Sequence, residues 1–570
     1  MTEKRNRSAW PMRRLREVAE VVKGKKPVRF VTKRSGTAVP YLEASFLRTQ
    51  TESQLIALSD TDALILANEA DTLILWDGAN AGEIFRGQFG VVASTMARVR
   101  PVDRRLLSDF LFYWLAVNSS RLRETAAGST VPHVRAKVVD ELQVPLPPLP
   151  VQERIVEILQ KADEIRQKRK QALELVDKIL PALFMEMFGD PATNPKGWPM
   201  MQLREVLESW DSGVWGERAS NKTEGVYVLR STNMPLDGRI DFSDVALIKV
   251  DASKIARFSL HDGDILLNRS SGSLEHIGKV SLFRQPKYLD GPFLFSNFVH
   301  RLRAKKGVVT SEYLFHYLRS DFARINLQQL HATSSGLRNL QMSDYLSQPV
   351  LVPPIALQEY FSNIVAAAET TRSYCETAVH DHECLFSSLL SRAFTGALTA
   401  EWEAANAEWI AAQQAFYERL PQLLILALIA ERAKRARRAA EVLVTALMKY
   451  VFLVQMEGNA SRRRLYHFVP YHYGPFTKEL YADLERLEQD NLIVVDRESA
   501  EEKTRIRLAD PAKAEQMLAE LPDDFKEDIA AVIETYGDLE HNALLETIYA
   551  KYPAYAQKSR LRRRKSSKSQ

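Results

Sequence analysis

The sequence predicts an α+β chain: two tandem mixed α/β domains, each followed by a long helix, and then a mostly helical, winged-helix-like domain. Three observations carry this. The chain has 570 residues, which at roughly 100–200 residues per domain asks for about three to five domains. Its first two-thirds repeats itself. Each repeat also changes, at a proline cluster, from short strand-like runs to one long helical period.

The repeat is ordered. Trp10-Pro11-Met12, followed by Leu15-Arg16-Glu17-Val18, returns as Trp198-Pro199-Met200, followed by Leu203-Arg204-Glu205-Val206. Leu111-Phe112-Tyr113-Trp114-Leu115 returns as Leu314-Phe315-His316-Tyr317-Leu318. Val144-Pro145-Leu146-Pro147-Pro148 with Gln152-Glu153 returns as Val350-Leu351-Val352-Pro353-Pro354 with Gln358-Glu359. The offset grows along the chain, so the second copy holds insertions. Similar ends around a variable middle read as one scaffold carrying two different surfaces.

The first domain, residues 1–150, holds short apolar runs such as Leu64-Ile65-Leu66-Ala67 and Leu73-Ile74-Leu75-Trp76, bounded by turn residues. Pro147, Pro148 and Pro150 mark where it stops, because proline suits a first helical turn and disfavours helix before it. The helix over 151–190 carries Ile155, Ile158, Leu159, Ala162, Ile165, Leu173, Val176, Ile179, Leu180 and Leu183 at spacings of three and four. The second domain spans 191–353. Its helix, 354–396, repeats the pattern with Phe361, Ile364, Val365, Ala368, Val379, Leu385 and Leu389. One narrow seam on each helix is what two helices need to pack together. Beyond lie a helical linker at 397–438, a winged-helix-like module at 439–510, a helical segment at 511–557 and a basic, disordered tail at 558–570.

Composition excludes several classes. Hydrophobic content of 45% and charged content of 26% describe an ordinary globular chain. The longest aliphatic run, Leu423 to Ala430, is too short to span a bilayer, and MTEKRNRSAW has no secretory apolar core. No membrane association is expected. The two cysteines, Cys375 and Cys384, cannot build a disulfide framework, and point to the cytoplasm. The net charge of +5 is compatible with nucleic acid without identifying it.

Catalytic motifs are missing. Asn194-Pro195-Lys196-Gly197 does not match a methyltransferase loop. Gly272…Gly278-Lys279-Val280 has the wrong glycine spacing for a phosphate loop, and Val280 lacks the hydroxyl that magnesium needs. His380 and Cys384 share a helical face but His382 does not, so no zinc set is expected.

At Asp71–Gly82, Ser94–Pro101, Val144–Val156 and Leu180–Asp190 the chain resembles the specificity subunit of type I restriction–modification systems, over about residues 10–396. The resemblance implies two target-recognition domains, each reading half of a split double-stranded DNA target. It implies that the helices pair as an antiparallel coiled coil holding the readers apart. It further implies a non-catalytic subunit working with type I methyltransferase (M) and restriction (R) subunits. S-adenosylmethionine, ATP and Mg would belong to those partners, and no cofactor to this chain.

DNA contact needs cations and hydroxyls for phosphates, and arginine, lysine or amide side chains for base edges. In the first copy the candidates are Lys23, Lys25, Lys26, Arg29, Lys33 and Arg34, with Ser129, Thr130, His133 and Arg135 on a late loop. In the second they are Arg218, Asn221, Lys222, Arg230 and Arg269, with Ser334, Ser335, Arg338 and Asn339 at the equivalent late loop. Two rival readings are a stand-alone DNA-binding regulator or antitoxin-like protein, using the winged-helix-like module, and a fused single-chain restriction enzyme.

Overall fold

Each repeat closes on itself before its helix begins. Met12–Arg14 pairs antiparallel with Gln143–Pro145, and Met200–Gln202 pairs in the same way with Pro349–Leu351. The computed structural model describes residues 10–31, 38–51, 53–57, 60–61, 64–126, 132–273, 275–320, 322–323, 331–334, 337–435, 441–458, 465–497 and 504–556. It divides into two compact units, Met1–Glu164 with Glu383–Gln570, and Ile165–His382.

In the first repeat four strands lie in the order Ala19–Lys23, Met96–Pro101, Thr72–Leu75, Ile84–Arg86. The second repeat gives Leu207–Ser212, Val299–Ala304, Ile265–Asn268, Val280–Leu282. The central strands are buried almost end to end, so they read as continuous apolar runs. A smaller sheet stands beside each. Ala38–Leu42 pairs parallel with Gly90–Val92 and antiparallel with Leu55–Ala57; Val226–Leu229 pairs parallel with Phe293–Phe295 and antiparallel with Ala246–Ile248. The second copy holds a hairpin, His331–Ser334 with Leu337–Leu340, paired to Ser270–Ser271.

Side chains alternate across a strand. Val99 and Leu302 therefore enter the cores, while Arg98, Arg100, Arg301 and Arg303 take the other faces. Arg100 forks onto Asp71 and Arg303 onto Asp264, both carboxylates buried. The helix junctions are equally duplicated. Gln152 accepts from the Leu107 N–H and donates to the Arg105 and Pro147 carbonyls; Gln358 accepts from the Thr310 N–H and donates to the Val308 and Pro353 carbonyls. Each fully buried glutamine thus satisfies its amide by tying helix to domain.

The long helices are Leu149–Phe188 and Ile355–Ala393. In the second unit Phe184 and Phe188 meet Phe361 and Val365, the Phe188 and Phe361 rings 5.3 Å apart, with Leu180 and Leu183 packed on the cluster. Arg372 pairs with Asp177. Eleven residues back along one helix match eleven forward along the other, so they run antiparallel. In the first unit Val151, Ile155 and Leu159 share a core with Phe386 and Ala393, and Ala162 and Leu389 lie against it. Ile158, Leu173, Val176, Ile364, Ala368 and Val379 are half-buried.

Three expected seam residues are corrected. Ile165, Ile179 and Leu385 are about half exposed. A two-helix seam covers only a narrow stripe, and each residue turns the helix by about 100°. Phe386 faces inward, one step from the exposed Leu385.

Beyond the helices, the stretches expected as linker, module and helical segment share a single core. Leu420 to Ile429, Val444 to Val454, Leu480 to Leu487, and Phe525 to Tyr549 pack together. Three strands lie in the order Val442–Leu443, Arg505–Leu508, Ile493–Asp496, preceded or connected by the helices Val444–Glu457 and Glu479–Gln489. The basic tail at 558–570 lies outside the described residues. Among the described residues no helix is long and apolar enough to cross a membrane.

Candidate nucleic-acid interface

Each four-stranded sheet ends in the same set of hydrogen bonds, position for position. The Gly24 N–H donates to the Met96 carbonyl, and the Gly213 N–H to the Val299 carbonyl. A Cβ on Gly24 would fall on the Val92 and Ala93 carbonyl oxygens; on Gly213 it would fall on those of Phe295 and Ser296. Only glycine allows this approach. The Trp76 N–H donates to the Thr95 carbonyl and the Val134 N–H to the Trp76 carbonyl, at 2.8 Å each. The Arg269 N–H donates to the Phe298 carbonyl and the Leu340 N–H to the Arg269 carbonyl, at 3.0 Å each. Asp77 bridges to His133 as Ser270 pairs with Asn339. The same three-segment tip is built twice from different side chains.

At the first tip Lys23 pairs with Asp77 at 2.8 Å, Lys25 and Lys26 are exposed just past the glycine, and His133 and Arg135 are exposed nearby in sequence. Arg29 pairs with Asp60 at 2.7 Å. Lys33, Arg34, Ser129 and Thr130 lie outside the described residues. At the second tip Arg269, the Arg338 backbone and Asn339 come together, and the Asn339 side chain meets the Ser270 hydroxyl. The Ser334 backbone belongs to the same hairpin, and Ser335 lies outside the described residues. Arg218 bridges to Ile248 on the smaller sheet. Asn221 holds its own turn, accepting from the Thr223 and Glu224 N–H groups, and Lys222 lies over the Tyr227 ring.

Arg230 follows the strand Val226–Leu229 and is paired within its own repeat. Its guanidinium donates to the Asp244 carbonyl and carboxylate at 2.7 and 2.9 Å. Residue type alone could not reveal that partner. Sequence reasoning also missed Trp215 and Phe298, both exposed at the second tip. The available signal was their distance from the repeated glycine and strand. Behind this tip His300 is buried beside Arg269, and desolvation first, then that cation, lowers its pKa to about 4. It is neutral at physiological pH. Among the described residues no group of three or more His, Cys, Asp or Glu side chains is placed to hold a metal ion.

The C-terminal body meets the first repeat at its helix junction. The Leu149 N–H donates to Gln414, the Tyr417 hydroxyl to Glu153, and Trp10 Nε1 to Glu403. Asp483, buried in the helix Glu479–Gln489, accepts from the Tyr466 hydroxyl at 2.9 Å and from Arg104 at 3.3 Å. That helix also carries Glu479, Glu485 and Glu488. An acidic helix turned toward an arginine of its own chain is poorly suited to DNA phosphates.

Residues 7–175 and 195–369 match the family model described as the type I restriction modification DNA specificity domain. The chain belongs to this family. The two matched segments coincide with the two repeats of this specificity protein. It is 27% identical over 333 residues to the type I restriction enzyme MjaVIII specificity subunit of Methanocaldococcus jannaschii, covering 56% of this chain and 77% of that one. With the EcoKI specificity subunit of Escherichia coli it shares 23% identity over 380 residues, 64% of this chain and 80% of that one. The crystal structure of a type I S subunit from M. genitalium aligns over 69% of this chain and 98% of its own, at 14% identity and a TM-score of 0.44.

Proposed function

We propose that this chain is the DNA-specificity subunit of a type I restriction–modification complex and reads a bipartite duplex target, one half with each tip. The duplicated tip carries the reading: one backbone frame holds Lys23, Lys26 and His133 in the first copy, and Arg269, Trp215 and Asn339 in the second. Different side chains on one frame give an asymmetric target. The paired helices fix the spacing between half-sites.

The chain itself is non-catalytic. Methylation and cleavage belong to the M and R subunits, together with S-adenosylmethionine, ATP and Mg. The acidic helix facing Arg104 favours this over a stand-alone regulator that binds DNA through its C-terminal body. Exchanging residues 198–350 for the same segment of another family member tests the reading. The selected target should change in one half only; a change in both halves, or in neither, refutes it.

A further inference from the structure

Two large aromatic side chains at the second tip have no core to enter. Trp215 is 76% exposed and Phe298 44%. A ring gains by leaving water, so exposed rings on adjoining loops mark a contact surface. Their backbones are tied together: the Val214 N–H donates to the Phe295 carbonyl at 2.8 Å, and the Asn297 N–H to the Val214 carbonyl at 3.1 Å. Phe298 in turn receives the Arg269 N–H. The rings therefore emerge from adjoining loops, at the end of the strand that carries Arg269 into the pair of Ser270 with Asn339.

The first tip holds the same frame with other chemistry. Two residues past its pinned glycine stands the exposed Lys26, and Thr95 occupies the place of Phe298. A cation and a hydroxyl suit phosphates and polar base edges. Two rings do not. Of the groups on base edges in the major groove, only the thymine 5-methyl is apolar.

We propose that Trp215 and Phe298 form a contact for a thymine methyl group in the second half-site. This rests on the reading of the tips as DNA-reading surfaces, and goes further by assigning the base and the groups that sense it. Polar neighbours favour DNA over a protein partner here: Arg269 and the Ser270–Asn339 pair stand where a base edge offers hydrogen-bonding groups beside the methyl.

Deoxyuridine tests this, because it differs from thymidine only by that methyl. The full-length chain, purified with its methyltransferase subunits, first selects its target from random duplexes. Each thymine of the second half-site is then replaced singly by deoxyuridine. One replacement should weaken binding about three- to tenfold. With Trp215→Ala and Phe298→Ala combined, binding should be weaker and that replacement should have no further effect. Replacements in the first half-site should act alike on both proteins.

The proposal fails if no position of the second half-site senses the methyl, or if the double variant senses it as well as the parent does. It also fails if that half-site contains no thymine, or if the variant keeps its target but loses the methyltransferase, which would make the rings a protein contact. A parent that selects no two-part target refutes instead the DNA-specificity reading beneath it.

Discussion

Arg303 grips Asp264 with both prongs of its guanidinium, Nε to Oδ1 and Nη2 to Oδ2 at 2.7 Å each, and Arg100 repeats the grip on Asp71 at 2.7 and 2.6 Å. Asp264 is 1% exposed, so removing its partner strands a buried charge. Arg303→Met should destabilise the second unit by about 3–5 kcal/mol. Arg303→Lys should not restore it, because a point charge cannot make a fork. Urea unfolding, with hydrogen exchange followed at Ile265–Asn268, reads the loss; an unchanged midpoint would show the pair to be dispensable.

Neighbouring residues on the second long helix should behave oppositely. Phe386 lies in the core of the first unit, its ring 6.3 Å from Tyr113, whereas Leu385 is 53% exposed. Phe386→Ala should cost about 3–5 kcal/mol, and Leu385→Ala about 0.5 kcal/mol or less. Comparing the two thermal unfolding curves checks the inward face of the helix; equal losses would contradict it.

Gly24 and Gly213 sit where a methyl group would strike backbone carbonyls. Gly24→Ala should impair selection of one half-site and Gly213→Ala selection of the other, with the long-helix packing intact. Target selection from random duplexes, run on each variant, distinguishes them. Loss of both half-sites from either single change would show that the tips do not act separately.

Lys449 is buried with its amine on the Pro475 carbonyl at 3.0 Å, and desolvation lowers its pKa to about 7. Below that value both folded and unfolded chains carry the proton, and the fold bears the full penalty. Between about 7 and the ordinary lysine value near 10.5 the unfolded chain binds the extra proton, so this group's contribution to stability improves as pH rises. The difference in stability between Lys449→Met and the parent should therefore shift in the parent's favour from pH 7 to pH 9.5. Parallel profiles would show that Lys449 does not titrate there.

Much of this architecture is legible in the residues. The prolines at 147, 148 and 150 and the recurrence of Gln152-Glu153 as Gln358-Glu359 place both helices and both junctions, because each junction depends on one side-chain amide in one backbone pocket. Depth is harder to read. Leu385 and Phe386 are both apolar, and a helical period does not say which one a narrow seam covers. Arg230 looks like any basic candidate until Asp244 closes on it. Trp215 is harder still: by residue type a tryptophan reads as core, and only the repeat places it beside a glycine pressed against backbone.

The glutamine junction exists twice, but among the described residues only the first is hydrogen-bonded to a helix from beyond the repeats. Over Gln152 the chain lays its own helix Ala407–Arg435, with Gln414 and Tyr417 reaching Leu149 and Glu153. Beside Gln358, Glu359 and Tyr360 stand exposed. Duplication alone would leave two interchangeable junctions; the helix Ala407–Arg435 makes the first unlike the second.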